Sequence, residues 1–135
     1  NFWRTNRGVT LLDLDTVGRH CVLGELGDAG RSICRDETAF SLTKFDAFFT
    51  AYLKGSPGLE PEEIRRIPES IEIIAWELTA RFLSDALEEC YFAWDPGAFP
   101  ARGEHNLERA IREAAFARSM REKRETCEKL VNAWI

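Results

Sequence analysis

Two carboxylates, Asp13 and Asp15, follow an apolar pair near the start of the chain, in the sequence Leu-Asp-Leu-Asp-Thr-Val. Clustered oxygen ligands at the end of a strand suit Mg²⁺, and in proteins Mg²⁺ usually accompanies phosphate. A purely structural role is the alternative, because carboxylates at a strand end also cap the turn that follows. The spacing therefore predicts either a magnesium site for a phosphorylated ligand or a capped turn.

The residues before these carboxylates have the pattern of a β-hairpin that would position them. Phe2-Trp3-Arg4 and Val9-Thr10-Leu11-Leu12 are β-prone, and Thr5-Asn6-Arg7-Gly8 between them favours a tight turn. Residues 18–40 contain four glycines among charged side chains. We interpret them as loop, with room for one helical turn.

Helical periodicity begins after residue 40. Phe45, Phe48, Phe49, Tyr52 and Leu53 follow the i, i+3, i+4, i+7, i+8 spacing of an amphipathic helix, which Ser41 or Thr43 would cap and Gly55 would end. We expect a short helix over 62–67, begun by Pro61 and stopped by Pro68.

Two longer helices are predicted in the second half of the chain. The segment 70–90 is apolar on two faces, so we expect it to be central and buried on most sides. A loop rich in Pro and Gly covers 94–103, and a last helix runs over 106–134 with Phe116, Met120, Cys127 and Val131 on one stripe. The predicted fold class is mainly α with a short N-terminal β-hairpin, because strands and helices do not alternate.

Composition excludes several classes of protein. The chain has 135 residues, the size of one domain, and a formal net charge of −5 without a basic patch, so we expect no nucleic-acid partner. No apolar run approaches the length of a membrane span, and we expect no membrane partner. The four cysteines are scattered, without zinc-like spacing to His20 or His105, which predicts reduced thiols and a cytoplasmic location.

Two further groups of polar residues occur in the predicted helices. Glu77, Arg81 and Asp85 are spaced four apart, so they share a helix face and can form an ion-pair ladder. His105, Asn106 and Arg109 form the second group, in which Asn106 would cap a helix and His105 would lie at the surface.

The order of these motifs resembles that of the aminoglycoside phosphotransferase-like kinases, in particular the branch with the N-acetylhexosamine kinases. In that family a catalytic loop ending in Asn runs into a hairpin, then into Ile-Asp-Leu-Asp-Thr-Val, then into Gly-Asp-Ala-x-Arg. The similar stretches here are Asn1-Phe2-Trp3, residues 12–17, residues 27–31, the helix around 45–55, Arg81-Phe82-Leu83-Ser84-Asp85 and His105-Asn106-Leu107-x-Arg109-Ala110. At 18–20 and 24–28 the chain departs from the usual family pattern.

The resemblance implies the C-terminal lobe of a protein-kinase-like fold, made of residues 1–17 (hairpin and metal-binding segment), 18–40 (loop) and 41–135 (helical subdomain). Asp13 would hold Mg²⁺ at the phosphates of ATP, Asn1 would be a second metal ligand, and Asp15 would assist or stabilise. Asp28 and Arg31 would stabilise the loop. Substrate-binding residues would be Arg81, Asp85, His105, Asn106 and Arg109.

The same resemblance implies what the chain lacks. The catalytic Asp would lie five residues before Asn1, and the ATP-binding N-lobe would precede it, so the chain by itself would be inactive. The parent enzyme would transfer the γ-phosphate of ATP to a hydroxyl of a sugar or amino sugar.

Two other interpretations remain open. One is a non-enzymatic helical module for protein interaction, with self-association through an exposed lobe interface. The other is a haloacid-dehalogenase-like phosphatase, in which Asp13 would be the nucleophile and Asp15 the acid/base.

Overall fold

The computed structural model describes residues 2–12, 18–55 and 58–135. Its elements are β1 (Phe2–Thr5), β2 (Gly8–Leu11), α1 (Val22–Ile33), β3 (Arg35–Asp36), β4 (Ala39–Phe40), α2 (Leu42–Gly55), α3 (Pro61–Glu88) and α4 (Arg102–Asn132). β1 pairs with β2 and β3 with β4, both antiparallel. The predicted fold class, mainly helical with an N-terminal hairpin, is confirmed at this level. In the described residues, no helix combines the length and apolarity needed to cross a membrane.

The N-terminal hairpin has the predicted turn. Arg4 pairs with Val9 and Thr5 with Gly8, which leaves Asn6 and Arg7 in the turn. The backbone N–H of Arg7 donates to Thr5 Oγ1 at 3.1 Å, so a side chain of the first strand stabilises the reversal.

The prediction of loop over 18–40 is wrong for most of that segment. α1 occupies 12 residues of it, and the small β3–β4 hairpin follows. The glycines that suggested a loop serve close helix packing instead. A Cβ on Gly27 would lie 2.7 Å from the carbonyl oxygen of Ser70, and one on Gly30 would lie 2.5 Å from Cδ1 of Ile71. These two positions therefore let α1 approach α3 closely.

Pro68 does not stop a helix. α3 runs without interruption through 28 residues, with Pro61 in its first turn and Pro68 inside it. Proline removes one intrahelical hydrogen bond, but Pro68 and its neighbours Ile67 and Ile71 are fully buried. Burial of these side chains offsets the missing bond.

The helix α3 is buried on one side rather than on most sides. Ile71 and Ala75 are fully buried, whereas Ile73, Leu83 and Leu87 are 55%, 45% and 89% exposed. Polar residues take part of the buried face. Glu72, which is 4% exposed, accepts hydrogen bonds from Arg121 and Arg124 of α4.

The core lies where α3 packs against α1 and α4, with α2 and β4 closing it. The predicted stripe of α4 is confirmed, because all four of its side chains are fully buried. The predicted stripe of α2 is also confirmed, with Phe45 and Phe49 buried and the other three packed against the core. Fully buried aromatic rings make up much of this core: Phe40, Phe45, Phe49 and Phe116.

Candidate functional site

The carboxylate of Asp85 lies at the centre of the most connected polar cluster among the predicted site residues. Its Oδ1 accepts the backbone N–H groups of Cys90 and Tyr91 at 2.9 and 2.7 Å. Its Oδ2 accepts the N–H of Phe92 at 2.9 Å and the side-chain amide of Asn106 at 2.7 Å. A carboxylate offers about four lone-pair sites, so these four donors fill them. Binding of an acceptor by Asp85 itself would require one of these bonds to break.

The end of α3 explains how three consecutive N–H groups reach one side chain. The helix ends at Glu88, and Glu89 adopts a left-handed conformation with φ 53°. This residue reverses the chain, so that the next three residues turn back toward the last helical turn. The carboxylate of Asp85 thereby serves as the acceptor for these three N–H groups, in place of the carbonyl oxygens that a continuing helix would offer.

Hydrogen bonding determines the protonation of Asp85. Burial by itself would raise the pKa of this carboxyl group, but the N–H groups of Tyr91, Phe92 and Cys90 outweigh it and hold the pKa below its usual range. The side chain is 3% exposed by surface area and is negatively charged at neutral pH.

Asn106 extends the cluster to Arg109. Asn106 is fully buried in the second turn of α4, and its Oδ1 accepts Nη1 of Arg109 at 3.0 Å. The same Nη1 donates to the carbonyl oxygen of Ala93 at 2.6 Å. Because α4 begins at Arg102 after Ala101, Asn106 does not cap the helix, and that alternative is wrong. Its amide instead connects α3 to α4.

His105 is tied to the loop between the two helices. Its Nδ1 accepts the backbone N–H of Asp95 at 3.1 Å, and its ring stacks on Phe99 with centroids 4.1 Å apart. Accepting this bond requires an unprotonated Nδ1, so the proton of the neutral ring is on Nε2. His105 therefore orders the loop from the α4 side.

Arg81 lies at the surface on another side of the cluster. It forms an exposed ion pair with Glu77 at 3.7 Å, and its guanidinium lies 5.6 and 5.5 Å from the ring centroids of Tyr91 and Phe92. The expected ladder is thus confirmed only for this first pair, since the structure pairs Asp85 with backbone groups. A groove of about 370 Å³ opens here, lined by Arg81, Ser84, Asp85, Glu88, Cys90, Tyr91 and Phe92.

The predicted metal-binding residues Asn1, Asp13 and Asp15 lie outside the described residues. Within 2–12, 18–55 and 58–135, no group of three or more His, Cys, Asp or Glu side chains is arranged to hold a metal ion. The predicted magnesium site stays a prediction.

Asp28 and Arg31 are paired as expected, but within α1 rather than in a loop. Nε and Nη2 of Arg31 donate to Oδ1 of Asp28 at 3.1 and 2.8 Å. Arg31 also reaches Glu113 of α4 at 3.5 Å, which links the two helices.

Sequence reasoning missed Glu113, a buried carboxylate on α4. Glu113 lies on the same face as Asn106, Ala110, Phe116 and Met120, each three or four positions from the next, and all of them are buried. That spacing was the signal, because it places Glu113 on the core-facing stripe.

Comparisons of this chain with models of known protein families, with curated proteins and with solved structures found no significant match.

Proposed function

We propose that the chain is the C-terminal lobe of a small-molecule kinase that transfers the γ-phosphate of ATP to a hydroxyl of a sugar or amino sugar. One observation carries this proposal beyond the order of the motifs. Asp85 and Asn106 are 21 positions apart and belong to separate helices, yet they bond directly, and Asn106 holds Arg109. Three of the five residues that the resemblance puts in a substrate site thus form one cluster, which supports a common role.

The contacts separate residues that position the site from residues that are able to touch a ligand. Asp85 and Asn106 are buried and fully engaged, so they act as positioning residues for the loop 90–92 and for Arg109. Arg81 and the 70% exposed Tyr91 line the groove and are able to touch a ligand. Guanidinium N–H groups donate to sugar oxygens, and an aromatic ring packs against the apolar face of a sugar. The acceptor would occupy this groove.

The proposal assigns the metal to residues outside the described part of the chain. Asp13, assisted by Asn1 and Asp15, would hold Mg²⁺, which neutralises charge on the β- and γ-phosphates of ATP. The ligand types fit, because Mg²⁺ prefers carboxylate and amide oxygens.

Two measurements test the proposal. The coding sequence immediately upstream of Asn1 should encode His-x-Asp, with that Asp five residues before Asn1. The protein it encodes should release ADP from ATP and Mg²⁺ in the presence of an N-acetylhexosamine. Asp13→Asn should lower this activity about a thousandfold, since it removes the metal ligand, and Arg81→Gln should mainly raise the KM for the sugar.

Asp46→Asn is the matched control, because Asp46 is exposed on α2. It should leave both kcat and KM unchanged. An unrelated upstream sequence, or ATP turnover that survives Asp13→Asn, would refute the kinase proposal.

A helical interaction module is the second candidate. The end of α3 and the start of α4 expose apolar side chains, with Leu87 89%, Leu107 46% and Ile111 61% exposed. Leu87→Glu should weaken self-association or partner binding in sedimentation experiments, while Asp13→Ala should not. Loss of binding in both variants would argue against this candidate.

A dehalogenase-like phosphatase is disfavoured, because the strands of the described residues pair only antiparallel.

A further inference from the structure

Four arginines line one pocket between α1, β3, α3 and α4. The pocket measures about 320 Å³, and its lining residues are Arg31, Ser32, Arg35, Phe82, Arg109, Arg112 and Glu113. The whole chain has a net charge of −5, so a concentration of positive charge at one point needs a physical reason. Only Arg109 belongs to the predicted substrate residues.

Buried contacts fix two of these arginines. The side chain of Glu113 is 11% exposed. Its Oε2 accepts a hydrogen bond from Nη2 of Arg35 at 2.6 Å, and its Oε1 accepts one from Nη1 of Arg31 at 3.5 Å. The guanidinium of Arg35 also lies 4.3 Å from the ring centroid of Phe116. The side chains of Arg31 and Arg35 are only 17% and 18% exposed, so they are ordered before any ligand arrives.

The other two arginines complete the pocket from α4. Arg109 is fixed by Asn106 and by the carbonyl oxygen of Ala93, and its guanidinium lies 5.6 Å from the ring centroid of Phe82. Arg112 is 55% exposed on its side chain, and in the described residues its ionic contact is a 3.8 Å approach to Glu108. Most of its N–H groups are therefore free for a ligand.

The charge balance of the lining is positive. Glu113 is the single carboxylate among the lining residues, against four guanidinium groups. Two other carboxylates touch these arginines from outside, but Asp28 and Glu108 are 66% and 48% exposed and are screened by water. Several ordered guanidinium groups around one carboxylate leave N–H donors without an acceptor, and a bound anion would satisfy them.

We propose that this pocket binds the phosphate group of a small molecule. A phosphate dianion presents several acceptor oxygens in different directions, which suits donors that come from α1, β3 and α4, and guanidinium groups bind phosphate in a bidentate manner. The pocket volume leaves space beside Phe82 for the organic part of a small phosphorylated ligand. The proposal does not rest on the phosphotransferase function, because it needs neither ATP nor the residues 13–17.

The test is a calorimetric titration of the full 135-residue chain with inorganic phosphate and with glycerol phosphate, without ATP or Mg²⁺ and at constant ionic strength. We expect saturable binding in the millimolar range or tighter. Arg109→Gln and Arg112→Gln should each weaken it about tenfold, because each removes one guanidinium from the pocket.

Arg118→Gln is the matched control, since Arg118 is exposed on the same helix and outside the pocket. It should leave the affinity unchanged. Equal weakening by all three variants, equally tight binding of acetate, or no saturable binding would each overturn the proposal. Arg112 is exposed, so its variant will fold even if Arg109→Gln does not, and circular dichroism checks both.

Discussion

At the scale of single residues, the structure shows why an acidic side chain is buried at the end of α3. Asp85 accepts the backbone N–H groups of Cys90, Tyr91 and Phe92, which lie beyond the C-terminus of α3 and so have no helical carbonyl acceptor. Its role in any substrate site is therefore indirect, through the loop that follows and through Asn106.

Replacing Asp85 by Asn should destabilise the fold. An amide has one acceptor oxygen, and its NH₂ group would face N–H donors that now point at Oδ2 or Oδ1. We expect the Tm at neutral pH to fall by on the order of 5–10 °C, measured by circular dichroism. Asp46→Asn, on the exposed side of α2, should leave the Tm unchanged.

The difference in Tm between the parent chain and Asp85→Asn should depend on pH. The folded pKa of Asp85 is lower than in the unfolded chain, so the unfolded state takes up its proton first as the pH falls. The stability from this carboxylate is complete above about pH 4 and is lost as the pH falls through the folded value. The difference in Tm between the parent and Asp85→Asn should thus shrink below about pH 4. A constant difference would show that the bonds do not depend on charge.

The four thiols divide into two classes. Cys21 and Cys90 are exposed, and Cys34 and Cys127 are fully buried. Burial raises the pKa of Cys34 and of Cys127 to about 12, so neither forms thiolate at neutral pH. A thiol reagent such as DTNB should label two cysteines in the folded chain and four in denaturant.

Cys90 should be the slower of the two exposed thiols. Its pKa is raised by partial desolvation and by the nearby carboxylates of Asp85 and Glu88, which lowers its thiolate fraction. Cys21→Ser should therefore remove the faster phase of labelling. Rapid labelling of three or four thiols would contradict the buried positions of Cys34 and Cys127.

At the scale of elements, close contact between α1 and α3 depends on glycine. Gly27→Ala should destabilise the fold by about 1–3 kcal/mol, because its methyl group would meet the backbone of Ser70. Gly24 of the same helix is the control, since a Cβ there would meet only His20, at 3.8 Å or more. Gly24→Ala should stabilise the helix by about 0.5–1 kcal/mol. Urea unfolding measures both, and equal effects would rule out this packing.

Local patterns predicted some elements well and failed for others. The apolar stripes of α2 and α4 could be predicted, because apolar spacing alone determines which face of a helix is buried. The helix α1 was missed because glycines favour loops when judged locally. Here they are required by close packing against α3, which is distant in sequence. Pro68 misled for the same reason, since the packing that offsets its lost hydrogen bond comes from other elements.

At the scale of the whole molecule, the sequence identified charged groups but could not say which of them meet. The periodicity placed Asp85 and Arg81 on one helix face, yet the carboxylate is hydrogen-bonded by the backbone after Glu89 and not by Arg81, which pairs with Glu77. The arginine pocket draws on α1, β3 and α4, so its assembly follows from tertiary packing that no local spacing encodes. Asn106 and Arg109 were recognised only through the order of motifs along the chain.

Because several hydrogen bonds span the connection between α3 and α4, we expect the fold to tolerate one break in its peptide backbone. Hydrogen bonds link the residues before the turn at 96–98 to the residues after it: Asp85 with Asn106, Glu89 with Gly103, Ala93 with Arg109 and Asp95 with His105. A protease site introduced at Gly97 and then cut should yield two pieces that migrate together in gel filtration and separate only in denaturant. Expressed separately, the two pieces should reassemble as a split protein.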